Sequence, residues 1–211
     1  RGMYEVTGLP TEVFGLPPGS STSSTVHPPV RRGNTPLDHR SVHILHACNS
    51  ALVVGGERCS VDIGGGSTEL VWIDLTNVPK RERPRAIMRL HAGFKSDPGP
   101  FAAAKVVDWI SVPLGVATLR DPFVDVEDDA ARFALMSWHF EENMVDFAPY
   151  KHEQERERFQ IVGTSGTVTT VAATHLGLRR YDRTKVDGLR MSTDQIDKVI
   201  RGYLNQGPEG R

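Results

Sequence analysis

The sequence predicts an α/β domain in which a mixed sheet is flanked by helices. Two observations lead to this prediction. Short segments in which apolar and polar residues alternate, as in strands, precede residue 100, and longer segments with helical periodicity follow residue 125. One further strand pattern lies between two of these helical segments. The resulting order, β-β-β-α-β-α-α, is typical of a mixed α/β fold.

Composition places the chain among ordinary globular proteins. It has 211 residues, of which 38% are hydrophobic and 24% charged, enough for one or two domains with a core. The formal net charge of -1 gives no basic field that would indicate a nucleic-acid partner. No apolar run approaches the ~20 residues of a membrane span, and no signal peptide opens the chain. We therefore expect a cytoplasmic protein.

The first forty residues differ from the rest. Residues 15–36 are rich in Pro, Ser, Thr and Gly and contain few large apolar groups. Such a composition buries too little surface to offset the entropy of ordering. We therefore predict that residues 1–40 are disordered, that residues 41–205 form the folded domain and that residues 206–211 are a tail. The missing Met at position 1 suggests an N-terminally truncated or divergent chain.

Three strands in a meander are the simplest interpretation of the next segment. "STELVWIDL" alternates, so that Glu69, Val71 and Ile73 share one face while Leu70 and Trp72 share the other. "SVHILHACNSALVV" before it is compatible with a short helix. The predicted strands are "RCSVDI" (58–63), "STELVWIDL" (67–75) and "AIMRLHAG" (86–93).

The remaining chain is mostly helical in pattern. Acidic residues crowd the start of a long helix at 125–147, where they suit the helix dipole. "RFQIVGTSG" (158–166) is a strand that enters a glycine loop, and the helix of 167–178 should end at Gly177. Ser192 and Gln195 have capping-box spacing at the start of the last helix, 192–204.

Two glycine-rich loops, at 62–67 and 163–167, share one design. In each, small residues follow a strand directly, so that the backbone can turn its N–H groups towards an anion. The second loop also leads into a helix N-terminus, which favours negative charge. A single glycine-rich loop is usually only a turn, and neither loop matches a Walker A or dinucleotide motif. The pair, together with the acid Asp62 and several hydroxyl groups, favours a phosphate site with a cation at Asp62.

These motifs resemble those of the exopolyphosphatase and guanosine pentaphosphate phosphatase family (Ppx/GppA). "DIGGGSTEL" (62–70) is similar to the first phosphate motif of that family, and "VGTSGTVTTVAATHLGL" (162–178) to the second. "SVPLGVATLRDPF" (111–123) and "RYDRTKVDGLRMS" (180–192) resemble the segments that lie between and after them. The four matches occur in the family's order and cover roughly residues 41–204.

The resemblance implies a ribonuclease-H-like domain of the actin-like ATPase superfamily, the second of two such domains. It implies Mg²⁺-dependent hydrolysis of terminal phosphates from polyphosphate or guanosine pentaphosphate (pppGpp), and possible homodimers. Carried over by motif, Asp62 lies at the metal. The implied phosphate-binding residues are Gly64, Gly65, Gly66, Ser67, Gly163, Thr164, Ser165, Gly166 and Thr167.

The family's water-activating glutamate has no counterpart in this sequence. It would stand about twenty residues before Asp62, within reach of the attacking water. Asp38 is the only carboxylate in that region, so we predict that it replaces the glutamate. The alternative is a non-catalytic fragment that binds polyphosphate or guanosine phosphates. A kinase-like or chaperone-like ATPase of the same superfamily fits the second loop less well.

Three other features allow more than one interpretation. His39 and His43 have helical spacing, but metal sites usually need three protein ligands, so packed or exposed histidines are favoured. Glu69 could point into the phosphate site or outwards. The basic run "KRERPR" (80–85) could guide a polyanion, although a solvated turn is the simpler interpretation. Cys48 and Cys59 are predicted to be buried as small apolar groups.

Overall fold

The structure is a computed structural model that describes residues 3–6, 31–32, 57–91, 104–147 and 159–206. The strands are β1 (Met3–Val6), β2 (Arg31–Arg32), β3 (Glu57–Ile63), β4 (Thr68–Asp74), β5 (Lys105–Val112), β6 (Phe159–Thr164) and β7 (Arg190–Ser192). The helices are α1 (Arg83–His91), α2 (Asp129–Met144), α3 (Ser165–His175), α4 (Arg183–Val186) and α5 (Thr193–Gln206).

The described strands form one mixed sheet in the order β2-β5-β4-β3-β6-β1-β7. β3, β4 and β5 pair antiparallel as a meander, and β6 then returns to lie parallel to β3 on its other side. The chain between β5 and β6 contains α2, as a parallel connection requires. The sheet confirms the predicted meander and the mixed α/β class.

The third strand of the meander is not the predicted one. Residues 86–93 were expected to form it, but residues 83–91 are helical and β5 (Lys105–Val112) takes the place. Ala86, Ile87 and Leu90 all contact the core. That spacing fits one face of a helix but not the two-residue repeat of a strand. The prediction was wrong because a run of apolar residues was taken as alternation.

Helices cover both faces of the sheet. On one face, Val71, Ile73 and Trp109 pack against Ala86 and Ile87 of α1. On the other face, the core contains strand residues together with Met144 at the end of α2 and Phe147 just after it. The predicted division of β4 into two faces is thus confirmed. The second core comprises Cys59, Leu70, Trp72, Ile110, Val112, Leu114, Met144 and Phe147.

The C-terminal helices end and begin where capping residues predict. Gly177 follows α3 with φ +63°, a left-handed conformation that glycine adopts without strain. At the other end, the Ser192 amide donates to Gln195 Oε1 at 2.8 Å and the Gln195 amide donates to Ser192 Oγ at 3.3 Å. This is the predicted capping box. Val199 of α5 packs with Ala172 of α3 in a third core cluster.

Several predictions fall outside the described residues. The short helix expected at 41–54 lies there, as do Asp38, Cys48 and the three histidines between residues 39 and 46. Met3–Val6 and Arg31–Arg32 belong to the stretch expected to be disordered, yet both pair as strands of the sheet. The division at residues 40 and 205 stays a prediction. Among the described helices, none combines the length and apolarity needed to cross a bilayer.

Candidate functional site

The first glycine loop connects β3 to β4. The Gly64 amide donates to the Ser67 carbonyl at 2.9 Å and closes a tight turn. Gly65 and Gly66 at its tip are exposed, and a Cβ atom added to either would meet nothing within 4 Å. The backbone of this loop is therefore open to an approaching ligand.

A turn that follows β5 orients the loop. The Val116 amide donates to the Gly64 carbonyl at 3.0 Å, and the Ala117 amide donates to the Gly65 carbonyl at 2.8 Å. In a planar trans peptide, the C=O of one residue and the N–H of the next point in opposite directions. The N–H groups of Gly65 and Gly66 therefore point away from the turn. Such paired amides form a concave donor site for anions.

Gly115 at the start of this turn allows the close approach. A Cβ on Gly115 would lie 2.5 Å from the Gly64 carbonyl oxygen and 2.6 Å from both the carbonyl carbon and the oxygen of Gly65. Only a residue without a side chain fits there. Gly115 lies in the quoted segment 111–123, but the sequence did not single it out as a site residue. The contact joins positions about fifty residues apart, and no local pattern reveals it.

The second glycine loop is tied directly to the first. Ser165 Oγ donates to the Ile63 carbonyl at 2.7 Å, and Thr167 Oγ1 donates to the same oxygen at 3.1 Å. Ser165 also has φ +72°, a left-handed conformation that is uncommon for a residue with a side chain. Both hydroxyls were expected to face phosphate. In this structure they donate within the protein and hold the two loops together.

The glycines of the second loop have different surroundings. Gly163 is buried, and a Cβ there would lie 2.6 Å from Val168 Cγ1, so this glycine serves the packing of α3 on β6. Gly166 is exposed, with open space where a side chain would be. Thr164 precedes α3 without capping it through its side chain. The first-turn amides of α3 thus remain available to an anion.

A row of polar side chains crosses the sheet beside the loops. Asp62 is opposite Glu69 on β4 and opposite Thr164 on β6, and Glu69 is opposite Ser111 on β5. Directly opposed residues share a face of a sheet, so both carboxylates lie on the face covered by α1. Glu69 is 3% exposed, and Ser111 Oγ donates to its Oε1 at 3.0 Å. Glu69 therefore points into the protein rather than outwards to solvent.

The surroundings of Asp62 bear on whether it can hold a cation. Its Oδ1 is buried and has no hydrogen-bond partner among the described residues. A buried carboxylate oxygen without a partner is costly unless a cation or donor reaches it. No group of three or more His, Cys, Asp or Glu in the described ranges is placed to hold a metal. Mg²⁺, however, commonly uses one or two carboxylates and completes its shell with water and substrate phosphate, so Asp62 fits such an ion.

The structure thus brings both predicted glycine loops and Asp62 to one place. Among the residues predicted to bind phosphate, Gly65, Gly66 and Gly166 are exposed. Ser67, Gly163 and Thr164 are buried. Asp38, predicted as a catalytic residue, lies outside the described residues. The roles of all these residues in binding phosphate or metal stay predictions.

Searches against known proteins agree with this geometry at the level of fold. Neither the scan of protein-family models nor the search of curated proteins found a match. Among solved structures, the Ppx/GppA family member of Aquifex aeolicus is similar with a TM-score of 0.55 at 25% identity, over 81% of this chain and 45% of that one. A second structure, of the Aquifex aeolicus PPX-GPPA enzyme, has a TM-score of 0.52 at 25% identity over 78% and 44%.

The type II variant of the Aquifex aeolicus Ppx/GppA phosphatase, with a TM-score of 0.51 at 24% identity, has the same fold. This chain spans less than half the length of these neighbours. The expected ribonuclease-H-like, actin-like architecture is confirmed. Motifs and fold agree, and the chain is similar in fold to proteins of the Ppx/GppA family.

Proposed function

We propose that this chain binds the terminal phosphates of inorganic polyphosphate or of pppGpp and hydrolyses the outer phosphoanhydride bond with the help of Mg²⁺. The observation that carries the proposal is the link between the two loops through the Ile63 carbonyl oxygen. It ties the end of β3, directly before the first loop, to the first turn of α3. Two sets of donors that converge on one place suit a group with several negatively charged oxygens.

The proposed roles follow from the surroundings of each group. The exposed amides of the first loop and of the α3 N-terminus would bind the phosphate oxygens and stabilise the charge that develops on them. Asp62, with Glu69 opposite it, would hold Mg²⁺. When bound, this ion supplies positive charge that neutralises the phosphates. Gly115, by allowing the close approach of the turn, would let the Val116 and Ala117 amides hold the loop carbonyls away from a bound phosphate.

The base that activates water is assigned by sequence alone. We propose Asp38 for this role, in place of the glutamate that the family resemblance implies. A shorter side chain must come closer to the water to act, because a base works only within hydrogen-bond reach. The second candidate function is therefore a binder of polyphosphate or guanosine phosphates that does not hydrolyse them. A cytoplasmic location and a homodimer remain part of the proposal.

Phosphate release tests the proposal. We would measure release from long-chain polyphosphate and from pppGpp, with and without Mg²⁺, for the wild type, Asp62→Asn and Asp38→Asn. We expect Mg²⁺-dependent release that Asp62→Asn abolishes. Asp62→Asn should leave the free energy of unfolding unchanged or raised, because it replaces a carboxylate whose buried Oδ1 has no hydrogen-bond partner among the described residues.

The controls separate the two candidate functions. If the wild type binds tripolyphosphate with Mg²⁺ but releases no phosphate, the chain is a binder. If neither release nor Mg²⁺-dependent binding is observed in a folded protein, both candidates are wrong. Release that is unaffected by Asp62→Asn would remove Asp62 from the mechanism.

A further inference from the structure

A basic surface lies at the far end of α3 from the glycine loops. The segment 178–185 lines an open depression of about 710 Å³. Four of its residues carry positive charge and only Asp182 carries negative charge, although the whole chain has a formal net charge of -1. The basic residues are Arg179, Arg180, Arg183 and Lys185, and all are exposed. We call these four residues the basic surface.

Most of this charge is not neutralised within the protein. Lys185 lies 3.7 Å from a carboxylate oxygen of Asp182. The other oxygen of Asp182 accepts hydrogen bonds from the amide and hydroxyl of Thr184. The three arginines form no ion pair within the described part of the chain. Exposed arginines without a carboxylate partner are well suited to bind phosphate oxygens.

One exposed side of α3 runs from the glycine loops towards the basic surface. Gly166, Thr170 and Thr174 are exposed and recur every four residues along α3, which places them on one side of the helix. The sequence of α3, SGTVTTVAATH, contains no acidic residue. Its 11 residues correspond to a length of about 16 Å at 1.5 Å per residue. A polyanion could therefore lie along α3 without meeting a carboxylate of that helix.

We propose that the basic surface is an accessory binding site for the chain of a long inorganic polyphosphate whose terminal phosphates bind at the glycine loops. This inference rests on the proposed function and makes it more specific. A tripolyphosphate bound at the loops is too short to span the length of α3. The basic surface thus favours long polyphosphate over short polyphosphates, because only a long chain contacts both places.

The test compares two triple variants with the same change in charge. Arg179→Gln, Arg180→Gln and Arg183→Gln remove three charges from the basic surface. Lys80→Gln, Arg81→Gln and Lys105→Gln remove three exposed charges elsewhere and serve as the matched control. Equilibrium binding of fluorescently labelled long-chain polyphosphate, and of tripolyphosphate as competitor, is measured without divalent cations over a range of salt concentrations. Circular dichroism checks that both variants are folded.

We expect the basic-surface variant to bind long-chain polyphosphate roughly tenfold more weakly, with a flatter salt dependence, since fewer counterions are released. Tripolyphosphate affinity should change by less than about twofold, and the control should resemble the wild type. Equal weakening in both triple variants, or equal losses for long and short ligands, would overturn the inference. The assay measures binding without Mg²⁺. Its outcome therefore does not depend on whether the chain hydrolyses polyphosphate. A wild type that binds no long polyphosphate overturns both the inference and the polyphosphate part of the proposed function.

Discussion

Replacing Gly115 with alanine is the sharpest test of how the first glycine loop is held. The added Cβ would lie 2.5 Å from the Gly64 carbonyl oxygen, about 0.9 Å short of an ordinary contact. The Cβ is fixed rigidly to the backbone and the atoms that it meets are backbone atoms, so no side-chain rotation can relieve the contact. The loop and the turn must move apart, which strains or breaks the hydrogen bonds to Gly64 and Gly65.

The magnitude follows from these contacts. Overpacking of this kind typically costs about 1–3 kcal/mol of the free energy of unfolding, and each weakened hydrogen bond about 1 kcal/mol. With two such hydrogen bonds, we therefore expect a loss of about 3–5 kcal/mol. A displacement of about 1 Å should also lower activity or phosphate affinity by up to about a hundredfold. The matched control is Gly202→Ala, where a Cβ meets nothing within 4 Å and alanine should stabilise α5 by up to about 1 kcal/mol.

Urea unfolding gives the readout, with the fluorescence of the buried Trp72 and Trp109 as signal. Binding of tripolyphosphate in the presence of Mg²⁺ is measured on the same variants. The reasoning would be refuted if Gly115→Ala were as stable as Gly202→Ala and bound tripolyphosphate as tightly as the wild type. A loss of stability with unchanged binding would show that the turn supports the fold but does not orient the loop.

Two further predictions concern local structure. Ser165→Ala removes the hydrogen bond to Ile63 and keeps the left-handed backbone, so urea unfolding should show a loss of about 1 kcal/mol in the free energy of unfolding. Ser165→Gly also removes the hydrogen bond but relieves the backbone strain, so it should lower the stability less than Ser165→Ala. The reverse order of stability would contradict the geometry. A hydrogen bond from the Thr184 hydroxyl lowers the pKa of Asp182 below its usual 3.8. A lowered folded-state pKa contributes stability that is present above the unfolded value and is lost as pH falls through the folded one. The stability difference between wild type and Asp182→Ala should therefore shrink below about pH 4. A difference that is constant with pH would exclude a stabilising role of the charged Asp182 carboxylate.

The predictable parts of this fold are those encoded by nearby residues. The alternation of β4, the capping box of Ser192 and Gln195 and the glycine after α3 each depend on residues within a few positions of one another. The strand prediction for the segment 86–93 failed because its apolar residues are clustered. Neither a two-residue nor a helical repeat can be recognised in such a cluster without knowing which residues face the core. β5 was missed for a related reason, since its Lys105 end is half exposed and its alternation is weak.

The candidate site was predictable only in part. Glycines next to an acid and hydroxyls indicated both loops, because phosphate sites need that local chemistry. The inward direction of Glu69 depended on the register of β3, β4 and β5, which a sequence does not display. The roles of Ser165 and Thr167 as links between loops depended on β3 and β6 being neighbours. Contacts between distant segments, such as that of Gly115 with Gly64, are set by the tertiary fold.

The shared acceptor at Ile63 has a consequence for the thermodynamics of binding. While both hydroxyls donate to that oxygen, neither loop can shift without carrying the other. Their separation follows from adjacent strands about 4.8 Å apart, so a ligand meets donor groups that are already positioned. Little conformational entropy is then lost on binding. The two loops should accordingly behave as one thermodynamic unit, in which a change in either loop weakens the contacts that a ligand makes with both.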